Sequence, residues 1–317
     1  MDFAVTKNPA GLGRVAVLMG GFGSERDVSL SSGSGVLKAL RQAGCEAFAV
    51  DPASDDLLAL RGRCDRAVIS LHGRFGEDGC VQGILEYLRI PYTGAGVRAC
   101  ALAMDKDLTR RVWAQSGLPV AEGFTARSVD EASKILERLG GDVVVKPSGE
   151  GSSVGVTKLQ NATEEQLRGA LRAALELDEK VLVEERWFGR EFTVALLDGR
   201  ALPIIEIRAP EGNYDYGNKY FGDAVHYDCP AELDAQTASR VRQACEKAFA
   251  VIGARGWGRI DVMMRGDGSF ILLEFNASPG MTPHSLVPMA ARAVGMDYAQ
   301  LCLWLAEHAA LDNAARI

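Results

Sequence analysis

With 317 residues, 47% of them hydrophobic and 24% charged, the chain can bury a large core, and its length suits two or three subdomains rather than one. A net charge of -7 provides no basic face for nucleic acid, and no run of like charges suggests an interaction tail. The longest apolar runs, such as "YAQLCLWLAEHAAL" at 298–311, are broken by charge and fall short of the ~18 residues of a membrane span, so no membrane partner is expected.

The N-terminus carries Asp2 and no apolar stretch of the signal-peptide kind. Seven cysteines lie far apart with no C-x-x-C pair, the pattern of reduced thiols in a cytoplasmic protein. In chain order, "RVAVLMGG" (14–21) reads as a strand ending in glycines, "VSLSSGSGVLKALRQAG" (28–44) as a helix with a glycine stop, and "AVISLHG" (67–73) as a second strand. This is a βαβ beginning with parallel strands. "GGFGSERDVS" resembles a dinucleotide loop only superficially, because Arg26 stands where the third glycine belongs.

The middle of the chain changes character. After "MDK" (104–106) and a helix stopping near Gly117, "DVVVKPSGEGSSVGVTKL" and "KVLVEERW" predict β-rich antiparallel structure. No Gly-Lys dipeptide occurs, which excludes a Walker P-loop. The glycine loop "PSGEGSSVG" (147–155) reads either as a flexible turn or as a flap whose N–H groups and Ser152 and Ser153 hydroxyls close over phosphate; Lys146 before it favours an anionic ligand. "EFTVALLDGRALPIIEI" predicts a hairpin turned at Asp198-Gly199. The polar, aromatic stretch 208–230 is too long for an ordinary connection and reads as a lid.

"GRIDVMMRGDGSFILLEFNASPG" (258–280) predicts a second hairpin, with Asp261 on one strand and Glu274 and Asn276 on the other. An unpaired buried carboxylate costs several kcal/mol or shifts its pKa, so this oxygen-rich set points to a cation. The last forty residues read as helices.

Taken together, these segments resemble the D-alanine:D-alanine ligase family of the ATP-grasp superfamily. The resemblance rests on "GGFGSERDVSL", "LHGRFGEDG", "PYTGAG", "MDK", "KPSGEGSSVG", "GWGRIDVM" and "NASPGMTPHSLVPMAA", which run in the family's order over nearly the whole chain, with the first dozen residues an extension outside it. It implies an α/β fold, α+β in the C-terminal two-thirds. A parallel α/β unit over 1–94 is followed by an ATP-grasp pair, 95–187 and 188–317, that grips ATP. It further implies ATP-dependent joining of two D-alanines through a D-alanyl phosphate, for peptidoglycan precursor synthesis, by a cytoplasmic homodimer.

The resemblance also implies roles residue by residue. Asp261, Glu274 and Asn276 would hold two magnesium or manganese ions bridging the ATP phosphates, since hard ions take oxygen ligands. Glu25 would receive the first D-alanine's ammonium, with Ser152 and Tyr220 hydrogen-bonded in line; the alternative is a surface carboxylate. Arg259, beside the Gly280 N–H, would support the tetrahedral oxyanion or else form an ordinary salt bridge. Ser285 and Leu286 would receive the second substrate's carboxylate, and His72, at a parallel strand's mouth, would orient substrate or be structural. Lys106, Lys146 and Lys219 would reach phosphate, with Ser152, Ser153 and Asn276 beside them. Glu184, Glu185, Trp187 and Glu191 would hold adenine and ribose. Relatives often carry lysine and an aromatic residue where Glu185 and Arg186 stand, which leaves the side-chain contacts there open. Another carboxylate-amine ligase or a D-alanine:D-lactate ligase is the alternative activity; Tyr220, Glu25 and the "PGMTPHS" tail favour the dipeptide.

Overall fold

The structure, a computed structural model, describes residues 3–151, 154–209 and 225–312. Strand β1 (Arg14–Leu18), helix α1 (Arg26–Gln42), and strands β2 (Glu46–Val50) and β3 (Arg66–Ile69) form a parallel sheet in the order β2-β1-β3. Central β1 is apolar at Val15, Ala16, Val17 and Leu18 because both sheet faces are covered. Val15 and Val17 pack with Val36 and Leu40 of α1, while Ala16 and Leu18 pack with Val81 and Leu85 of α2 (Cys80–Leu88) on the other side. The carboxyl ends of β1 and β3 therefore open at one edge, and each leads into a loop quoted above, one carrying Glu25 and the other His72.

Helices α3 (Val97–Met104) and α4 (Lys106–Gln115) lead into a second sheet. Here β4 (Gly123–Ala126), α5 (Ala132–Leu139), β5 (Val143–Pro147), β6 (Thr157–Leu159), α6 (Glu164–Leu175) and β7 (Val181–Glu185) follow one another, and the antiparallel strand order is β4-β7-β5-β6. Strand alternation splits β5: Val143 and Val145 join the core under α5 and α6, whereas Val144 and Lys146 face a cavity on the bare side.

The third sheet contains β8 (Arg190–Leu197), β9 (Arg200–Ala201), β10 (Ile205–Arg208) and β11 (His226–Asp228), then, after α7 (Ala235–Val251), β12 (Trp257–Met264) and β13 (Phe270–Asn276). Its order is β11-β10-β8-β12-β13, with β9 also on β8. Asp198 and Gly199 make the expected turn, both at positive φ (50° and 73°), the conformation of a type I′ hairpin. The returning strand is broken into β9 and β10 around Pro203, which has no N–H to donate to the ladder. The stretch expected to be all loop ends in a strand, since β11 pairs with β10; residues 210–224 lie outside the description.

Helices α8 (Leu286–Arg292) and α9 (Tyr298–Glu307) fold back onto the first sheet, sharing one core with α1 and β1. Arg66 donates to Ala306 O at 2.8 Å, and Tyr92 bridges to Ala310, so the last helix is tied to the first sheet and the segment after it. All seven cysteines are free thiols, and among the described residues no helix is long and apolar enough to cross a membrane.

Trp113 joins α4 to the third sheet's helix: it is 1% exposed, and its Nε1 donates to Ala248 O at 3.1 Å. Trp113→Ala is expected to lower unfolding free energy by about 3–5 kcal/mol. Urea denaturation checks this, and a loss below about 1 kcal/mol would show that the site collapses around the cavity.

Candidate active site

Two cavities meet in the cleft between the sheets. The first, about 540 Å³, is lined by Glu25, His72, Glu77, Arg259, Gly280 and Ser285 among others. Glu25 enters it from the N-cap position of α1, and its loop is held by a polar lattice. Gly20 N donates to Ser29 Oγ at 2.8 Å, Ser29 Oγ donates to Ser70 O at 2.7 Å, and Arg26 pairs with Asp51 at 2.6 Å. The Arg26 guanidinium holds the Asp51 carboxyl down at about 2. Gly73, at φ 65°, leaves the room that Glu25 Oε2 occupies; any Cβ there would overlap it.

His72 is buried, and its Nδ1 donates to Ser278 O at 2.8 Å, because a carbonyl can only accept. Nε2 faces the Ser32 hydroxyl at 3.4 Å, which itself accepts from Met281 N at 3.1 Å. Burial depresses the imidazole pKa, against an opposing pull from the Glu25 charge, so the ring is neutral near pH 7. Ser285 stands at the N-cap position of α8 and exchanges hydrogen bonds with Thr282, accepting from its N at 3.0 Å, while Gly280 lies against the Ser285 hydroxyl. Leu286 completes this wall.

The second cavity, about 350 Å³, lies between the second and third sheets, with Lys106, Lys146, Glu184, Glu185, Trp187, Glu191, Asp261 and Glu274 in its lining. Lys146 Nζ pairs with Glu184 Oε2 at 2.6 Å; burial opposes its charge, but Glu184, Glu274 and Glu191 outweigh that and raise its pKa. Trp187 Nε1 is buried with no acceptor among the described residues. The glycine loop straddles both cavities, with Glu150 lining the second and Gly151 the first. Its stalk is tied down where Lys106 Nζ donates to Glu150 O, Gly149 N donates to Asp178 at 2.6 Å, and Glu150 pairs with Arg74 at 2.7 Å.

Lys106 and Glu274 line both cavities and stand 3.9 Å apart. Asp261 lies opposite Glu274 in the β12–β13 register. Arg259 grips Asp261 with two hydrogen bonds of 2.8 Å, Thr193 Oγ1 donates to it at 2.6 Å, and Asn276 Nδ2 donates at 3.1 Å. The ion pair weighed as the alternative use of Arg259 is thus present, and the same side chain also lines the first cavity. Among the described residues no group of three or more His, Cys, Asp or Glu is gathered as a metal cluster. The donor set is two carboxylates and one amide. Asn276 turns its nitrogen to Asp261, leaving its oxygen without a protein partner among the described residues, and the one direct ion pair of Glu274 there is with Lys106. Such hard oxygen donors fit a divalent ion whose other ligands come from phosphate and water.

Ser152, Ser153, Lys219 and Tyr220 lie outside the described residues. Glu77, within the "LHGRFGEDG" segment, also lines the first cavity, although nothing in its local pattern sets it apart from the other charged residues there. Its Oε2 accepts from Gly73 N at 2.7 Å and its Oε1 from Ser278 N at 2.9 Å, tying the His72 loop to the loop after β13. Desolvation and the nearby Glu25 charge push its carboxyl up to about 8. The folded state thus holds this proton more tightly than the unfolded chain, so the stabilisation is full below about pH 4.5 and is lost as pH rises through about 8. Glu77→Gln, which cannot ionise, is expected to flatten the fall in thermal midpoint across that window. Scanning calorimetry at intervals of pH checks this; equal slopes for both proteins would refute it.

Two family models match the chain, "D-ala D-ala ligase N-terminus" over residues 51–95 and "D-ala D-ala ligase C-terminus" over 112–307. A D-alanine–D-alanine ligase of Bordetella avium is 52% identical over 296 residues, covering 92% of this chain and 93% of its own. One from Aromatoleum aromaticum is 51% identical over 303 residues, covering 95% and 97%. The solved D-alanine–D-alanine ligase of Bacillus anthracis complexed with ATP superposes with a TM-score of 0.81 at 30% identity, covering 94% of this chain and 97% of that one. The likeness extends to the whole architecture, a parallel α/β unit followed by an ATP-grasp pair of antiparallel sheets. With models matching in both halves and relatives about half identical along almost its full length, the chain belongs to the D-alanine–D-alanine ligase family.

Proposed function

We infer that the chain joins two D-alanines to D-alanyl-D-alanine with ATP, releasing ADP and phosphate. The observation that carries this reading is the shared wall: the cavity lined by lysines and the interdomain crossing meets the cavity lined by Glu25, Arg259 and Ser285 at Lys106 and Glu274. A nucleotide in the second cavity and an amino acid in the first would place γ-phosphate and carboxylate at that wall.

The carboxylate of the first D-alanine, its ammonium on Glu25, attacks the γ-phosphate to give an acyl phosphate and ADP. The amine of the second, its carboxylate at Ser285 and Leu286, then displaces phosphate, losing a proton as the peptide bond forms. Arg259 and the Gly280 N–H stabilise the oxyanion of the tetrahedral intermediate that the amine's addition forms before phosphate leaves. Lys106 and Lys146 offset charge on the phosphates, and His72, neutral and locked by Ser278, shapes the first site without carrying a charge. Magnesium or manganese held by Asp261, Glu274 and Asn276 would neutralise the triphosphate and the transferring phosphoryl group. The crossing from Glu184 to Trp187 and the carboxylate of Glu191 take adenine and ribose. Phosphate-facing roles for Ser152, Ser153 and Lys219 and a hydrogen-bonding role for Tyr220 belong to the same reading, and the site must exclude water because water would hydrolyse the acyl phosphate. Units 1–94, 95–187 and 188–317, a homodimer and a cytoplasmic location belong to the same reading.

Coupled ADP release with a panel of amino acids tests it: turnover is expected with D-alanine and not with L-alanine. ADP release indifferent to D-alanine would overturn the assignment. Glu274→Gln should retain the fold by thermal midpoint yet lose about 3 kcal/mol of transition-state stabilisation, a hundredfold or more in turnover. Near wild-type ADP release from that variant would remove Glu274 from the mechanism.

A further inference from the structure

The two sheets that wall the nucleotide cavity are joined by one short crossing, residues 186–189 between β7 and β8. The spacing and angle of the walls depend on how that crossing is held. On the third-sheet side, Arg190 pairs with Met264 at the end of β12, and Gly189 lies so close to Met264 O that a Cβ would overlap it. The next residue, Arg265, reaches back across the crossing. Its Nη2 donates to Glu185 Oε1 at 2.9 Å, and its guanidinium carbon lies 3.7 Å from the centroid of the Trp187 ring. Glu185 and Trp187 line the cavity, whereas Arg265 does not. The backbone of Arg265 is itself pinned by the hairpin turn, its N–H donating to Ser269 O at 2.9 Å and its carbonyl accepting from Gly268 N at 3.0 Å. One guanidinium thus grips two wall residues of the second-sheet side from a rigid point on the third.

We propose that Arg265 is a positioning residue of the nucleotide site, fixing Trp187 and Glu185 so that the crossing is preorganised for the base of ATP. This deepens the reading of that cavity as the ATP site and rests on it. The planar guanidinium suits the task because it stacks on the indole face and hydrogen-bonds the carboxylate at once; a lysine ammonium can do only the second well. Trp187 Nε1, buried without a protein acceptor among the described residues, marks the indole as a group whose placement matters to a ligand. Global stability does not need this pair. Arg265 is 40% and Glu185 39% exposed at the side chain, and ion pairs that open to water add little to folding. Removing the guanidinium therefore separates positioning from folding.

The test compares Arg265→Ala and Arg265→Lys with the wild-type chain by steady-state kinetics and by calorimetric binding of ATP. Arg265→Ala is expected to raise both the KM and the Kd for ATP about tenfold, with kcat and the KM for D-alanine changed less than about twofold. Arg265→Lys should fall between wild type and Ala, and if the Ala variant does not fold, the Lys variant alone decides. In a double-mutant cycle, adding Arg265→Ala to Trp187→Ala should weaken ATP binding far less than Arg265→Ala does alone. Unchanged ATP affinity in both Arg265 variants, or parallel increases in the KM for ATP and D-alanine, would overturn the proposal while leaving the ATP site standing. A wild-type chain that binds no ATP would overturn that reading and this proposal together.

Discussion

Glu274 is the carboxylate on which the arrangement of the cleft turns. It faces Asp261 across the β12–β13 ladder, and two like charges at opposed positions of a sheet repel unless something offsets them. Asp261 is answered within the protein, by both arms of Arg259, by Thr193 and by Asn276. Among the described residues Glu274 has one ion pair, a long one of 3.9 Å to Lys106, and its charge also acts on Lys146. The hairpin therefore presents one carboxylate held closely by protein donors and one held only by a long ion pair among the described residues, at a wall common to both cavities. On the proposed reading, Glu274 is the carboxylate that would meet the cations accompanying the phosphates.

Different parts of the molecule meet this requirement with different stiffness. Strands β8, β12 and β13 are backed by α7 and the Phe192, Ile260 and Phe275 core, so Asp261 and Glu274 sit on a rigid platform. One face of β8 even passes from site to core along its length, with Glu191 at the cavity, Thr193 on Asp261, and Ala195 and Leu197 packed against α8. The lysines come from elsewhere: Lys106 from the start of α4 and Lys146 from the second sheet. The glycine loop is anchored at its stalk, by Lys106, Asp178 and Arg74.

The first cavity is defined as much by suppressed charge as by charge. Burial keeps His72 neutral, and desolvation next to Glu25 favours the protonated form of Glu77. On the proposed reading, Glu25 is the one of the three that would meet a substrate ammonium. Packing of α8 and α9 onto the first sheet brings the loop after β13 against the His72 loop, and Glu77 and His72 are the residues that bond across that seam.

Much of this was legible from the residues alone. Parallel β1 and β3 follow from unbroken apolar runs ending in glycine, and the Asp198-Gly199 turn from the positive φ that its residues tolerate. Asp261, Glu274 and Asn276 could be singled out because hydrophobic strands seldom carry oxygen without a reason. Their mutual placement is a matter of strand register, which is local and so readable. What the sequence could not disclose depends on contacts between distant segments. Glu77 accepts from Ser278, which lies 201 residues away. Arg265 stands beside a hairpin turn in the sequence, and the crossing between sheets brings Glu185 and Trp187 to it. The pKa shifts of His72 and Glu77, and the ion pair that occupies Arg259, arise from burial and from neighbours on other elements. Pattern and propensity act over a few residues, so the sequence alone determined the strands, the turns and the chemistry on offer; only tertiary packing, which sets distance and dielectric, decided which of those groups meet and which of them stay charged.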